Sequence, residues 1–537
     1  MGVWWSSVQI RPPRPNDSKS KRRHPDDRHR RQGEGEPTGA SSTRNAHCVV
    51  APASKDRLVP FTSKLAFGIG QFAEGLKNTA FGAFALFYYN QVLGLPGTLA
   101  GMALFIALLF DAVTDPMAGS LSDKTRSRLG RRHPFMYASA VPLGLAFVGL
   151  FAPPPGLGEW GLFAWLATFA VLTRMAMTLY HVPHLALGAE MTENFDERTR
   201  IVAYRQFFGA AGVLAAFGLG YGWYFAELRG GRVAVDNYMP YAVTLAILMV
   251  VTIWYSAYGT QKEIPFLSEP ETLPKRDPVS QMVLDLAEAF RNRSFRWLFF
   301  GVLVVFVMAG VNSALDIYMF QYFWDLTGAE MLILQVASVT GLMAGVFLAA
   351  PLLRRTEKRF GVLLGTIVWA VCQVVPVVLR LVDAFPANDA VILVPTLVAF
   401  RFVQGLIVQQ ALTAFGSMMA DVADEHDHAT GTRQEGIFFG AIAFSHKATS
   451  GFGTLIGGLG LDIIGWPRGT GIQSAADVPA ETIVHLGLLY GPVVAGFSVI
   501  SVWCYLHYDL TRARHAEILR ELNLRRRATP VRDPTTT

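Results

Sequence analysis

The side chains most capable of chemistry in this sequence are ionisable groups set inside long apolar runs. Asp111 and Asp115 are four residues apart, so they share one face of a helix, within the apolar stretch 105–118. A charge in such a setting costs at least roughly 2.5–3.5 kcal/mol on insertion scales, which makes each one a functional candidate. Two carboxylates in a dry site cannot both ionise cheaply, because desolvation and like charge both penalise the second charge, so they must share a proton or a cation. Thr114 beside them and Thr178 two runs further on supply hydroxyls for an oxygen cage around a hard monovalent ion such as Na⁺, whereas H⁺ needs only one carboxylate. The bland alternative for Asp115 is a capping or packing hydrogen bond at Pro116.

Other buried charges need partners. Glu74 and Lys77 stand i to i+3 on the first run, a spacing that suits a self-satisfied pair as well as a substrate role. Arg174, His181 and His184 lie on the fourth run, Arg205 opens the fifth, and His446 and Lys447 lie on the eleventh. Lys447 is expected to pair with Asp111 and Asp115 when the central cavity is empty and to yield to ion or substrate. Asp316 and Arg401 read as a structural pair of their own.

Several patterns lose to plainer readings. Gly68-x-Gly70 follows no strand, and Gly453 and Gly457 belong to a glycine-rich run, so both fit close helix packing by small residues. His426-x-His428 with Asp424 and Asp427 has metal-ligand residues but reads as a solvated turn after a span. Cys48, Cys372 and Cys504 are too scattered for a disulfide framework or zinc site. No nucleophile elbow, zinc-protease motif or phosphate loop is present, and no soluble cofactor is implied; the coupling ion aside, no metal is expected.

The elements that must position these residues follow from composition. The chain has 537 residues, 51% hydrophobic and only 16% charged, where soluble domains run at roughly 25% charged. From Leu65 onward it alternates apolar runs with short polar links, and runs of roughly 18–25 residues are what a bilayer core of about 30 Å demands of a helix. Twelve spans are predicted: 65–92, 97–120, 134–152, 160–187, 201–225, 239–258, 295–322, 330–352, 360–381, 390–417, 437–463 and 484–507. Cations gather in the links after the second span (Lys124, Arg126, Arg128, Arg131, Arg132) and the eighth (Arg354, Arg355, Lys358, Arg359), which places both links and both termini in the cytoplasm.

The predicted organisation is a basic tail over 1–60, a six-helix bundle over 61–258, a cytoplasmic central loop over 259–294 with an amphipathic piece at 279–291, a second six-helix bundle over 295–510, and a cytoplasmic tail over 511–537. The net charge of +6 resides in the first of these: residues 1–60 hold 12 of the 47 Lys/Arg and 6 of the 41 Asp/Glu, leaving 35 of each. Its Pro, Arg, Ser and Gly content reads as solvated disorder. Val8 to Pro15 reads like the conceptual translation of a transfer-RNA gene end, which puts the expected start of translation after about residue 45. Basic links at corresponding places in the two halves, one entered at Asp115-Pro116 and closed by Gly130, the other entered at Pro351 and closed by Gly361, form a weak internal repeat. The fold class is thus all-α integral membrane, with twelve helices in two six-helix bundles, the major facilitator architecture.

The run Asp111-Ala-Val-Thr-Asp115-Pro116-Met-Ala-Gly119-Ser-Leu-Ser-Asp123-Lys124-Thr-Arg126-Ser-Arg128-Leu-Gly130-Arg131-Arg132-His133-Pro134 resembles the helix 2 to 3 signature of the glycoside-pentoside-hexuronide:cation symporter family, the major facilitator branch that includes the melibiose carrier. Lys64-Leu-x-Phe-Gly68, Glu197-Arg198 before Arg205, and Met419-Ala-Asp421-Val-x-Asp424 through Thr430-Gly431, Arg433 and Glu435-Gly436 extend the resemblance over about 62–510. It implies Na⁺- or H⁺-coupled alternating access in the inner (plasma) membrane by a monomer. Asp111, Asp115, Thr114 and Thr178 would then hold the cation, Arg205 and Lys447 the substrate, and Lys447 would couple the two; His181 and Glu74 are candidate substrate contacts from their own chemistry. The loop residues Gly119, Asp123, Arg126, Gly130 and Arg131 would serve the conformational change.

There are two departures: where the melibiose carrier places sugar-binding aspartates, this chain has Gly75 and His181. The segment Tyr180-His181-Val182-Pro183 with Ala203-Tyr204-Arg205 also looks like the vertebrate sodium-dependent lysophospholipid symporter. A sugar or glycoside is therefore the first expectation for the substrate and an amphiphile the alternative. A membrane-embedded lipid enzyme using His181 and His184 is the reading from another class.

Overall fold

The computed structural model describes residues 58–192, 194–267, 287–431, 447 and 451–528. The basic tail, the amphipathic piece of the central loop up to residue 286 and the family-like residues Arg433, Glu435 and Gly436 lie outside the described residues, as does His446. Among the described residues there is no strand, and the chain is a succession of long helices.

Helix α1 spans 61–92, as Phe61–Thr79, Ala85–Phe87 and two π-helical turns, Ala80–Phe84 and Tyr88–Val92. It is followed by α2 (Gly97–Lys124), α3 (His133–Leu150), α4 (Glu159–Glu190), α5 (Phe195–Leu219, running on through a π turn to Tyr224) and α6 (Tyr238–Thr260). The second half repeats the series with α7 (Arg293–Tyr318, with a π turn to Phe323), α8 (Gly328–Arg355), α9 (Lys358–Leu381), α10 (Leu393–Thr430), α11 (Gly451–Ile463) and α12 (Ala480–Leu506). Ten of these are long and apolar enough to cross a membrane; α1 carries Lys64, Glu74 and Lys77 and is not among the ten, and α11 is described over only 13 residues.

Local chemistry sets the helix ends. The Asn194 side chain accepts the Asp196 and Glu197 N–H groups at the start of α5, Thr327 and Glu330 form a reciprocal capping box on α8, and Gly431 closes α10 in the left-handed region at φ 74°. One sequence expectation needs correcting. Helix α10 continues to Thr430 rather than ending at 417, so Asp424, His426, Asp427 and His428 are helical and not a solvated turn. The tail after 511 is also helical, α13 (Arg512–Ala528), and it docks on α10: His515 Nε2 lies 3.0 Å from Asp424 Oδ2, and His428 pairs with Glu521. Ile518 and Leu522, one turn apart and both nearly fully buried, supply the apolar seam.

Packing repeats between halves. In the first half α1 packs on α5 and α6, α2 on α4, and α3 on α4 and α6. In the second α7 packs on α12, α8 on α10, and α9 on α10 and α12. The halves meet through α1 against α7 and α5 against α8, and through α2 against α11, where a side chain at Gly97 would lie 2.4 Å from the Gly458 carbonyl oxygen. Large apolar side chains such as Leu145, Phe347 and Val499 face outward at 69–81% exposure, as a lipid-facing surface requires.

Candidate functional site

Helix α2 is kept helical across Pro116 and presents Asp111 and Asp115 to α4. There Arg174, Thr178 and His181 follow one another at helical spacing and form the opposing stripe. Arg174 Nη1 donates to Asp111 Oδ2 at 2.7 Å, and the Thr178 hydroxyl lies 3.1 Å from Asp111 Oδ1 and 2.8 Å from Asp115 Oδ1. Lys447 comes from the other half, pairs with Asp115 and stands 3.8 Å from Asp111 Oδ2. Asp111 is 4% exposed, so the dry environment expected of this carboxylate is present.

The structure thus brings Asp111, Asp115, Thr178 and Lys447 together. It leaves Thr114 apart: its buried hydroxyl has no hydrogen-bond partner among the described residues. The carboxylates are already met by fixed cations, and an incoming cation would compete with Lys447 for the Asp115 oxygens.

Next along the stripe, His181 Nε2 lies 2.9 Å from Glu74 Oε2, and the Gln71 amide also donates to Glu74. Glu74 is therefore held by α4 and not by Lys77, which corrects the self-satisfied reading of that pair. Arg205, on α5, is 4% exposed. His184 is structural: it stacks on Phe67 at 4.2 Å and meets the Phe67 carbonyl at 2.9 Å. Gly75 faces the α5 backbone, where any Cβ would lie 2.3 Å from the Gly209 carbonyl oxygen. A carboxylate has no room there, so the missing aspartate reflects tight α1 to α5 packing.

The loop between α2 and α3 is a clasp. Arg132 reaches Ser122, Asp123 and Glu190 at 2.5–2.7 Å, Arg131 reaches Glu190 at 2.9 Å, and Gly130 turns at φ +71°. A side chain at Gly119 would meet Val182 only at ordinary contact distance, and Arg126 is exposed without an ion pair among the described residues. The second half has a corresponding clasp, Lys358 on both Asp421 oxygens at 2.7 Å.

At the opposite end the halves are tied to each other. Asp462 accepts the Gly97 and Thr98 N–H groups at 2.9 and 2.7 Å, and Trp466 donates to Gln91 at 2.7 Å. Tyr318 donates to Asn90 at 2.8 Å, Arg232 to Gln321 at 2.8 Å, and the Gly328 N–H to Glu227 at 2.8 Å. Partial burial pushes the Glu227 carboxyl up, but the bond from Gly328, the bond from its own backbone N–H and the Arg232 charge together hold it below its usual range.

Sequence reasoning left Arg174 and Lys77 outside the site. The signal for Arg174 was present: its spacing to Thr178 equals that of Asp111 to Asp115, so two facing helices each carry an i to i+4 pair.

Comparison with known proteins decides the family. The model for the MFS/sugar transport protein family matches residues 66–512. The chain belongs to that family. Relatives include the putative glycoside/cation symporter YagG of Escherichia coli, 25% identical with 86% of this chain and 94% of the relative covered. Two more are the isoprimeverose transporter of Lactiplantibacillus pentosus, 22% identical over 83% and 89%, and the glucuronide carrier protein homolog of Escherichia coli, 24% identical over 86% and 95%.

Among solved structures, the nucleoside transporter NupG aligns with TM-score 0.54 and 11% identity over 84% of this chain and all of the other. The xylose transporter XylE from E. coli aligns with TM-score 0.53 and 12% identity over 84% and 98%. These share the major facilitator fold, as expected from the sequence. The family is one of cation-coupled sugar and glycoside symporters, so this is an integral membrane transporter and the lipid-enzyme reading falls away.

Proposed function

We propose that this chain carries out symport of a sugar or glycoside with Na⁺ or H⁺, by alternating access, with both termini in the cytoplasm. The observation that carries the reading is Lys447: one ammonium from the second half holds the paired carboxylates of the first. An incoming cation at Asp111 and Asp115, with Thr178 as the shared hydroxyl, would replace it. That exchange frees the halves to rock and frees Lys447 to meet substrate, so ion binding and movement become one event. Glu74, His181 and Arg205 lie beside it and serve as the substrate's polar contacts. The contact of His181 with Glu74 at 2.9 Å supports a polar, sugar-like contact surface there.

The test is transport in proteoliposomes under imposed Na⁺ and H⁺ gradients. Asp111→Asn with Asp115→Asn should abolish gradient-driven glycoside accumulation while the protein still folds and inserts. Full accumulation by that double variant would sink the proposal.

A further inference from the structure

The clasps of the two halves are charged differently. In the first, the acids Asp123 and Glu190 meet the guanidiniums of Arg131 and Arg132 at 2.5–2.9 Å, and a guanidinium keeps its charge at any physiological pH. In the second, Asp421 and Asp424 share a face of α10, and among the described residues Lys358 pairs with Asp421 at 2.7 Å. The fourth member comes from α13: His515 Nδ1 lies 3.5 Å from Asp421 Oδ1 and its Nε2 3.0 Å from Asp424 Oδ2, with the side chain 17% exposed. An imidazole ordinarily changes charge at roughly pH 6.5. The second clasp therefore reaches the two-to-two balance of the first only when His515 carries a proton.

The other charged groups nearby are held elsewhere. Lys358 sits on the Asp421 oxygens, and Tyr508, just after α12, lies within reach of the Asp421 and Glu425 charges. Arg512, one turn before His515, is turned onto the Leu353 and Thr356 carbonyls at the end of α8 at 2.8 and 3.2 Å, and Arg514 pairs with Glu517. Further along α13 the same chemistry recurs. His428 of α10 pairs with Glu521, which also feels Arg514 and Arg525, and Arg525 donates to the His428 carbonyl at 2.8 Å. Glu425, beside them on α10, takes the Asn292 amide at 3.2 Å, and His426 lies 3.9 Å from Glu288. Only the seam of Ile518 and Leu522 is indifferent to pH. Charging an imidazole that faces two carboxylates strengthens its hold on them. Docking of α13 therefore tightens as pH falls through the imidazole range and weakens as pH rises through it, until at roughly pH 4 the carboxylates themselves protonate.

We propose that α13 is a proton-operated latch on the second clasp, closed by protonated His515 and loosened when that ring is neutral. Because α13 touches the end of α8 through Arg512 and α10 through His515 and Glu521, closing it ties those two helices to one strut. The latch is a regulatory device and depends on neither the substrate nor the coupling ion of the proposed symport.

Amide hydrogen exchange of the purified full-length protein, at about pH 6 and about pH 8 and corrected for the intrinsic exchange rate, reads the latch on either side of the imidazole range. Protection of residues 515–525 should be about three- to fivefold higher at the lower pH, the factor a partly exposed ion pair supplies. The first clasp, residues 123–132, should show no such change, since its cations are fixed. His515→Gln should stay near the wild-type level of the higher pH under both conditions, apart from a small residual dependence through His428. His515→Arg should stay near the level of the lower pH under both. The first clasp also reports the integrity of the fold: if its exchange rises in His515→Gln, that variant has lost more than the latch, and His515→Arg decides. Equal wild-type protection of 515–525 at both pH values, greater protection at the higher one, the same pH dependence in the first clasp, or a dependence undiminished in His515→Arg would each overturn the proposal.

Discussion

Polar contacts inside one half of this protein and polar contacts between the halves are built differently. Within the second half Asp316 is met by Arg401 at 2.7 Å and by Tyr490, while Arg401 also touches Gln404 and lies 4.8 Å over Phe320. One carboxylate, one guanidinium and their hydrogen-bonding neighbours close on themselves. Between the halves, Lys447 leans on two carboxylates that already have Arg174 and Thr178, and Asp462 and Glu227 accept backbone N–H groups across the interface, the Arg232 cation beside Glu227 belonging to its own half. Contacts of the first kind can survive every stage of a rocking cycle. Under the proposed alternating access, contacts of the second kind would be made and broken in that cycle, so they should be individually weak or replaceable. The lesson is that a buried charge in this chain is read by whether its partner travels with it.

The sharpest way to break this comparison is at Asp316. Removing one partner of a fully buried, balanced pair leaves an uncompensated charge at a cost of about 3–5 kcal/mol, which partial exposure of Asp316 and Arg401 reduces, whereas replacing both with apolar residues of similar volume is far milder. Asp316→Asn should therefore lower the thermal midpoint of the purified protein markedly, and Asp316→Leu with Arg401→Leu should restore much of it. Equal loss in both variants would mean that the pair has a role beyond balancing itself.

How much of this was legible beforehand depends on the same distinction. Asp316 with Arg401, and Lys447 with the α2 carboxylates, were readable because a charge in an apolar run demands a partner and few were on offer. The helices were readable because bilayer thickness fixes their length. Glu74 misled because i to i+3 spacing offers Lys77 as a neighbour, while the rotation of α1 against α4, which no local pattern encodes, hands Glu74 to His181. Gly75 looked like a lost binding residue until the α5 backbone was seen pressed against it. Helix α13 and the end of α10 were missed because their polar faces outweigh a narrow apolar seam that exists only once the two are docked.

A smaller effect tests the contacts between halves at the end where they are densest. The Asp462 carboxylate caps α2 across the interface, taking the Gly97 and Thr98 N–H groups that open the helix, and such a cap contributes about 1 kcal/mol. Asp462→Ala should leave the thermal midpoint nearly unchanged yet raise amide hydrogen exchange at 97–98 by about fivefold, that energy being a factor of 5 or so in the open population. A large stability loss instead would place Asp462 with Asp316 among the contacts that never part.

The smallest expected effect is a dependence on acid. The Gly328 and Glu227 backbone N–H groups and the Arg232 charge hold the Glu227 carboxyl below its ordinary value of 4.5, whereas parting of the halves would remove the Gly328 bond alone and let the value rise part of the way back. A depressed acid contributes closure that is fully present above about pH 4.5 and is lost as pH falls through the lowered value. The side chain is more than half exposed, so solvent screens the contribution and it should be modest. Protection of the Gly328 amide should therefore exceed that of a Glu227→Gln variant at neutral pH, and the difference should shrink on acidification. A gap that stays constant down to the pH at which the protein unfolds would show that Glu227 never leaves Gly328, and would move this contact from the breaking class to the permanent one.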